Sequence, residues 1–389
     1  MEKKFDSIVV GGSISGLLCA REMSRSGLSV AVLEEDYEIG SPEHCGGLVS
    51  LDGIKKLGII PSSKAILNEV NKAKILSATK EFEVSANRDK ITVLDRRELD
   101  KQVAYQAQKF GSEIRTKSLV TSINYDSSKK EYVIKTKDEI FYSQFFIDAR
   151  GITSLINNNN NNRDGVLQSA QYEVYADWII PDEIIVKFDK VKYPDFFAWI
   201  IPSGNGKGKI GVAGRKINTL QTLESFIESF SSKYSIIRKI YAPIWIGGPL
   251  KKFVFKNMIL VGDAAGQTKP TTAGGIFSCG MGGILAGSHI ALYKKNAVNS
   301  LLIKYEIDWY SIFGKEFQRM LFFRKIMERL DNKSIDAIFS LISDSDIAEI
   351  SKSATFDFHS FALSKILGSK KAIKLISTLL GNEFRHILN

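Results

Sequence analysis

The feature that most constrains the fold is a glycine-rich turn near the start of the chain, in FDSIVVGGSISGLLC (5–19). The apolar run SIVV (7–10) predicts a strand that ends at Gly11, and the residues that follow have helical apolar spacing up to Gly27. LSVAVLEE (28–35) predicts a second strand. This order of elements predicts a βαβ unit in a parallel sheet.

The turn has most features of a dinucleotide-binding fingerprint. Gly11 allows the tight turn, Gly16 allows close packing of helix on strand, and the helix N-terminus offers N–H groups to a pyrophosphate. Glu34 follows Gly16 by 18 residues, where a carboxylate can bind ribose hydroxyls and would repel a 2′-phosphate. Ser13 stands where the second fingerprint glycine is expected, so we expect backbone approach to be hindered but not blocked. Ser13 and Ser15 are therefore included among the candidate cofactor-binding residues.

A second element far downstream favours FAD over NAD. NMILVGDAAGQTKPTTAGGI (257–276) predicts a strand that ends near Asp263, then a loop and a new helix at Gly274, Gly275 and Ile276. A carboxylate at a strand end can bind a ribityl hydroxyl, which NAD lacks. The N-terminus of the second helix can stabilise negative charge on a reduced flavin ring.

Four segments together resemble the flavoprotein hydroxylase superfamily. They are GGSISG, GDAAGQTKP, DRRELD (95–100) with Arg96 at the position of the arginine in R-x-x-L-D, and FFIDARG (145–151). The resemblance implies FAD bound across residues 11 to 276. It also implies that SLVTSI (118–123) passes the adenine, with Leu119 as a backbone contact.

Two further segments resemble archaeal geranylgeranyl reductases. EIGSPEHCGGLVS (38–50) is similar to their I-G-x-P-x-x-C-G segment, and YPDFFAWIIP (193–202) is similar to their Y-x-W-x-F-P substrate motif. In the second segment Trp199 and Pro202 match, whereas Phe197 and Ile201 replace a tyrosine and a phenylalanine. The resemblance implies a substrate site formed by Tyr193, Phe197, Trp199 and Pro202.

The implied activity is the saturation of double bonds in geranylgeranyl chains of membrane-lipid precursors or related polyprenyl compounds. The resemblance places Cys45, Gly46 and Gly47 beside the flavin, as the candidate catalytic segment. Cys45 has three open roles: proton donor, packing residue, or redox partner of Cys279. NAD(P)H and a ferredoxin-like protein are both open as electron donors.

Rival functions remain open at this point. Flavin halogenases carry W-x-W-x-I-P, which differs from residues 197–202 by one tryptophan. An aromatic monooxygenase would share the FAD motifs, and an electron-transfer flavoprotein that serves quinone would use the same fold.

The organisation predicted is an α/β fold with a Rossmann-like FAD-binding domain, an inserted mixed or antiparallel β-sheet substrate domain and a helical C-terminal region. The FAD domain is expected from 1–72, 91–155 and 250–300. The substrate domain is expected from 73–90 and 166–249, where AKILSATKEFEVS alternates like a strand pair, and helices are expected over 301–389. The asparagine run 157–162 predicts an exposed loop.

Composition excludes several other classes. Three cysteines without a C-x-x-C pair predict neither a zinc site nor a four-cysteine cluster, so we expect no metal. The net charge of +10 is spread along the chain and does not predict nucleic-acid binding. No signal peptide is predicted, and the apolar stretch 273–293 is interpreted as a buried helix. A cytoplasmic location is expected, with peripheral membrane contact left open because a lipid substrate resides in a membrane.

Overall fold

A computed structural model describes residues 2–158, 164–298, 300–368 and 370–380 of the chain. The asparagine run lies largely outside these ranges, so the loop expected there is not described beyond the end of a helix at Asn158. The described strands are β1 Glu2–Val10, β2 Val30–Leu33, β3 Leu48–Ser50, β4 Ile66–Val70, β5 Lys72–Leu76, β6 Glu81–Ser85, β7 Ile91–Leu94, β8 Glu113–Arg115, β9 Val120–Asp126, β10 Glu131–Thr136, β11 Ile140–Asp148, β12 Val166–Tyr175, β13 Glu183–Lys187, β14 Ala198–Gly204, β15 Lys207–Gly214, β16 Ser235–Trp245, β17 Val254–Phe255 and β18 Met258–Leu260.

The described helices complete the element list. They are α1 Ile14–Arg25, α2 Leu51–Lys56, α3 Arg96–Lys109, α4 Ile152–Asn158, α5 Thr219–Glu228, α6 Ile276–Asn296, α7 Ser300–Met327, α8 Asn332–Phe339, α9 Asp344–Ser353, α10 Ser360–Leu367 and α11 Lys370–Leu380, with a 3₁₀ turn at Gly262–Ala265. The first strand is longer than the 7–10 run predicted, and β2 is shorter than 28–35.

The first sheet, in the order β17-β18-β11-β1-β2-β8, positions the fingerprint turn. β1 pairs in parallel with both β2 and β11, and Val10 lies opposite Leu33 on one side and Asp148 on the other. The carboxyl ends of these three strands therefore meet at one edge of the sheet. This is the edge at which parallel α/β sheets bind ligands.

The second sheet has the order β16-β12-β15-β14-β13-β5-β6 and is mainly antiparallel. Successive side chains of a strand point to opposite faces, so the sheet has two distinct sides. On one side Tyr172, Ile200 and Ile210 are buried in a core with Phe226 of α5. Trp199 and Gly211 lie on the other side, which lines the cavity described below.

Helices close the structure around the first sheet. α6 packs against both α1 and α7, and α1 also packs against α3. Among the described residues, α6 is the one helix with the length and apolar composition of a membrane span, but most of its apolar window is buried inside the molecule. It contains most of the stretch interpreted from the sequence as a buried helix.

The C-terminal helices form a separate layer. Phe323, Ile335, Ile338 and Leu367, from α7, α8 and α10, are buried in a common core, and α9 packs on β6 of the second sheet. A small sheet has the order β3-β7-β4, and β5 and β6 of the second sheet lie between its strands β4 and β7 along the chain. The predicted fold class is thereby confirmed. The division of the chain into three domains remains a prediction.

Candidate functional site

The turn after β1 packs closely against the backbone at the end of β11. Gly11 has a φ of +109°, and a Cβ atom built on it would lie 2.3 Å from the carbonyl oxygen of Ala149, just after β11. No side chain fits there without moving one of the central strands. The turn is therefore held against the end of β11.

The serine that departs from the fingerprint occupies an ordinary backbone conformation. Ser13 has φ −89° and ψ 177°, which any L-residue adopts, and it precedes α1 as its N-cap. Its side chain makes no capping hydrogen bond, so the first N–H groups of α1 keep no side-chain partner. The exposed Ser13 lines a cavity at this helix end together with Ser15.

Glu34 follows β2 and is tied to the same turn. Its Oε2 accepts a hydrogen bond from the backbone N–H of Gly12 at 2.6 Å, and its Oε1 accepts one from Asp36 at 3.0 Å. These bonds hold the carboxylate in one orientation at the edge of the cavity. A carboxylate so fixed is suited to accept hydrogen bonds from vicinal ribose hydroxyls.

The second predicted element lies close to the start of α1, because a Cβ atom built on Gly262 would lie 2.3 Å from Ser15 Oγ. Asp263 is exposed to the cavity, accepts a hydrogen bond from the Thr268 hydroxyl, and lies 3.5 Å from the Cys279 sulfur. Gly275 is the N-cap of α6 and lines the cavity, and among the described residues the first N–H groups of this helix also have no side-chain cap. Burial, with the charge of Asp263, raises the pKa of the Cys279 thiol.

Arg96 is the first residue of α3 and lines the same cavity. Its Nη2 donates to both carboxylate oxygens of Asp100, at 2.9 and 3.0 Å, whereas its buried Nε has no hydrogen-bond partner among the described residues. A buried donor without a partner is costly. A ligand in the cavity would satisfy it.

The Cys45-Gly46-Gly47 loop lines the cavity. Gly47 has a φ of +77°, and a Cβ on it would lie 2.2 Å from the Leu94 carbonyl oxygen. The Cys45 sulfur accepts from the Gly47 N–H at 3.3 Å and from Arg96 Nη1 at 3.8 Å. Cys45 and Cys279 are both free thiols, so the structure contains no Cys45–Cys279 bond.

A buried ion cluster beneath this loop is not anticipated by the sequence analysis. Glu43 accepts from the Lys209 ammonium at 2.7 Å and from Arg238 at 2.8 Å, and Lys209 is fully buried. Lys209 also donates to the Cys45 carbonyl at 3.3 Å. Burial would raise the pKa of Glu43, but the two cations outweigh it and the pKa is lowered. The available signal was Lys209, which is followed within strand β15 only by small and apolar residues.

An apolar lobe of the cavity begins beyond the loop. The rings of Phe196 and Phe197 stack with centroids 4.1 Å apart, and Trp199 meets Phe197 edge-on at 6.1 Å. The indole N–H of Trp199 donates to Gln171 Oε1 at 3.1 Å, which fixes the plane of the ring. The lobe thus presents ordered aromatic and aliphatic walls.

A C-terminal segment, 354–359, closes this lobe, and the sequence motifs do not predict it there. The Lys269 ammonium donates to the Phe356 carbonyl at 3.0 Å, and Asp357 accepts from the Ser50 hydroxyl at 2.5 Å. Burial, with the nearby charge of Lys269, lowers the pKa of His359 to about 3. These contacts link residues so distant along the chain that no local pattern indicates them.

The cavity has a volume of about 870 Å³ and joins both ends of the site. It brings together most of the predicted site residues, namely Ser13, Ser15, Glu34, Cys45, Gly46, Gly47, Arg96, Phe197, Trp199, Asp263, Gly274, Gly275 and Ile276. Gly11 and Gly16 lie behind the turn. Three predicted residues are elsewhere: Leu119 is 55% exposed, Tyr193 packs on Phe226 in the core, and Pro202 is buried outside the lining.

The residues present fit FAD. Among the described residues, two helix N-termini without side-chain caps face one cavity, Glu34 is fixed beside the first and Asp263 lies near the second. Arg96, whose buried Nε has no partner there, belongs to the same lining. Two separated phosphate- and ring-binding ends suit a dinucleotide whose flavin is reached through a ribityl chain.

Comparisons with known proteins agree with this fit. Residues 9–48 match a family model described as an NAD(P)-binding Rossmann-like domain. This range covers the first βαβ unit, which binds the ADP half that NAD and FAD share, so the choice between them rests on the downstream residues.

Whole-chain relatives are more specific. Digeranylgeranylglycerophospholipid reductase 2 of Methanothermobacter thermautotrophicus is 28% identical over 365 residues, covering 90% of this chain and 94% of the relative. The crystal structure of a geranylgeranyl bacteriochlorophyll reductase-like protein from Thermoplasma acidophilum superposes with a TM-score of 0.85 at 21% identity, covering 97% of this chain and 100% of the other. A flavin-dependent brominase superposes with a TM-score of 0.67 at 14% identity, covering 99% of this chain and 100% of that one.

Fold and site together define the class of FAD-dependent oxidoreductases with a Rossmann-like nucleotide domain. Within that class the chain is similar over almost its whole length to archaeal geranylgeranyl reductases, so the resemblance noted in the sequence is confirmed.

Glu34 offers a direct test of cofactor binding. We expect Glu34→Ala to weaken FAD binding by about 1.5–3 kcal/mol, since a charge-assisted hydrogen bond to ribose is lost. The reduction potential of the flavin that does bind should be unchanged, because Glu34 is assigned to the adenosine ribose and not to the flavin ring. Flavin titration and potentiometry check the two expectations, and a large shift in potential would contradict the assignment. Glu38→Ala, a partly exposed residue four positions on, is the control.

Proposed function

We propose that the protein is an FAD-dependent reductase that saturates carbon–carbon double bonds of geranylgeranyl chains in membrane-lipid precursors or related polyprenyl compounds. The observation that carries the proposal is the continuity of the cavity. Its cofactor end, near Glu34 and Asp263, opens directly into the aromatic lobe around Trp199. A polyprenyl chain in that lobe would reach the flavin ring without crossing solvent.

The apolar lobe suits a hydrocarbon chain. Val186, Ile201 and Phe356 contribute to its walls, and they come from β13, β14 and the C-terminal segment. The total volume is near the upper end of the roughly 300–1,000 Å³ typical of ligand pockets, which accommodates a cofactor and part of a long chain. Burial of each CH₂ contributes about 0.8 kcal/mol, so chain length alone gives substantial affinity.

Separate groups of residues are assigned to the cofactor and to the substrate. Reduced FAD, when bound, supplies the hydride that one alkene carbon receives. Glu34 and the start of α1 hold the nucleotide end, while Asp263 and the start of α6 hold the other end. Phe197 and Trp199 orient the isoprenoid chain, and the Cys45 loop forms the wall between the lobes and keeps water from the reacting carbon.

Electrons and substrate must both reach the cavity from outside. The proposal assigns the electrons to NAD(P)H as a transient visitor or to a ferredoxin-like protein, because a single dinucleotide fingerprint is found and FAD takes it. It assigns the protein to the cytoplasm, with contact to a membrane surface while lipid is withdrawn.

Anaerobic reoxidation tests the activity. The FAD-loaded protein is reduced with dithionite and mixed with geranylgeranyl lipid without oxygen, and we expect the oxidised flavin absorbance to return. A fully saturated lipid is the matched control and should leave the flavin reduced. If reoxidation requires oxygen instead, the monooxygenase and halogenase functions are favoured and the reductase is contradicted.

Trp199 tests the assignment of the lobe. We expect Trp199→Ala to slow lipid reduction by about ten- to a hundredfold, a loss of about 1.4–2.7 kcal/mol, since the ordered indole wall is removed. FAD content should be unchanged. Trp178→Ala is the control, because Trp178 stacks on Phe230 on the other side of the second sheet. Equal rates in the two variants would remove Trp199 from the site.

A further inference from the structure

We propose that Lys269 is the catalytic acid that delivers the proton to the second alkene carbon. The inference rests on the proposed reductase function and adds a residue that the sequence motifs do not single out. It is carried by the position of the Lys269 ammonium at the junction of the two lobes.

Three distances define the position of the Lys269 ammonium. Lys269 Nζ donates to the Phe356 carbonyl at 3.0 Å and lies 4.4 Å from the centre of the Phe356 ring. A Cβ atom built on Gly274 would lie 3.7 Å from the same nitrogen. The ammonium thus lies beside the glycines that precede α6, where the flavin ring is proposed to bind, and against a ring that forms the wall of the apolar lobe.

Lys269 differs from the other cations that line the cavity. Arg96 is paired with Asp100, and Lys72 lies 3.5 Å from Glu83. Lys269 is only 7% exposed, yet no described carboxylate forms an ion pair with it, and one hydrogen bond to a carbonyl uses one of its three N–H donors. Two donors remain available to the cavity.

The electrostatic surroundings suit an acid. Burial lowers the pKa of Lys269, while the charges of Asp357 and Glu316 partly offset the shift. His359 of segment 354–359 is neutral near pH 7, because burial and the nearby charge of Lys269 lower its pKa to about 3. A buried ammonium whose pKa moves toward neutrality is a better acid than a surface lysine.

The step balances without a further reactant. The π bond of the alkene breaks, one carbon receives the hydride supplied by reduced FAD, and the other forms a C–H bond with a proton from Lys269 Nζ. The nitrogen keeps the N–H electron pair and becomes a neutral amine. It regains a proton from water after product leaves.

Cys45 is less suited to this step. Its sulfur accepts hydrogen bonds from the Gly47 N–H and from Arg96 Nη1, which tie it to its own loop and to the start of α3. Cys45 therefore fits better as part of the wall beside the flavin.

Substitution with rescue tests the proposal. In single-turnover oxidation of the reduced enzyme by geranylgeranyl lipid, Lys269→Ala should be slowed at least about a hundredfold, within the range typical of a lost general acid. Added ethylammonium should restore part of the rate. Lys269→Arg should remain slow, because arginine retains the charge but does not release its proton. Lys64→Ala, on the exposed loop before β4, should behave as the parent.

Two further measurements separate acid catalysis from a structural role. The parent rate should fall as pH rises through the pKa of Lys269, below the usual lysine range, and this fall should disappear in Lys269→Ala. Competitive acetylation followed by mass spectrometry, on protein without flavin, should give Lys269 a lower pKa than Lys64.

The outcomes are distinguishable. If the parent enzyme is not reoxidised by lipid, the proposed function itself fails. If the parent is reoxidised and Lys269→Ala keeps its rate, Lys269 is not the donor. Full activity of Lys269→Arg would show that only the positive charge at position 269 is needed, and would contradict proton donation. Slow turnover in Cys45→Ala, together with a normal rate in Lys269→Ala, would assign the proton to Cys45.

Discussion

Glu43→Gln is expected to destabilise the protein by about 3–5 kcal/mol, because it leaves the fully buried Lys209 ammonium without its counter-charge. Lys209 also donates to the Cys45 carbonyl, so weaker anchoring of Lys209 should loosen the loop that carries Cys45. Thermal unfolding with and without FAD measures both effects. Bound FAD should raise the melting temperature less in the variant than in the parent.

The matched control is Glu69→Gln, whose ion pair with Lys90 is largely exposed and should contribute at most about 1 kcal/mol. The pH dependence gives a second check. Because the pKa of Glu43 is lowered on folding, its contribution is complete above the pKa of an unfolded glutamate and is lost as pH falls through the folded value. Glu43→Gln should therefore flatten the loss of stability in acid. Similar melting of the two glutamine variants would contradict the role given to the cluster.

Gly11→Ala is expected to abolish FAD retention and to lower stability by more than about 2 kcal/mol. The added methyl would meet the Ala149 carbonyl oxygen at 2.3 Å, and the φ of +109° is strained for alanine. To relieve the contact, the turn must move away from β11, and the start of α1 moves with it. Flavin absorbance of the purified variant and its melting temperature give the result.

Gly27→Ala separates the two causes. Gly27 also has a positive φ, +87°, but a Cβ there would meet nothing within 4 Å. It should cost only the backbone strain, about 1–2 kcal/mol, and leave FAD in place. If both variants lose FAD to the same extent, the close approach at Gly11 is not what shapes the site.

Local patterns were sufficient for the nucleotide-binding half. The spacing from Gly11 to Glu34 fixed the βαβ unit, because strand and helix periods and turn glycines are short-range signals. The departure at Ser13 could not be judged from sequence, since only the structure gives its extended backbone, in which glycine has no advantage.

Residues that pair across sheets were harder to predict. The match to a substrate motif assigned Tyr193 and Pro202 to the cavity, but alternation along β14 and the turn before it direct them elsewhere. Lys209 and Glu43 meet across 166 positions, so nothing near either residue indicates the other. Leu119 followed from a general placement of the adenine, and its exposed position gives that assignment no support.

The closing of the apolar lobe by segment 354–359 bears on how the protein is made. Ser50 meets Asp357 across 307 positions, and Lys269 meets Phe356 across 87. Chains emerge from the ribosome N-terminus first, so every residue that lines the cofactor end is synthesised before the wall of the lobe. A nascent or prematurely stopped chain that ends before residue 354 would lack this wall, so its apolar lobe would be open to water. We therefore expect the shelter for a lipid chain to be completed only after segment 354–359 has been translated.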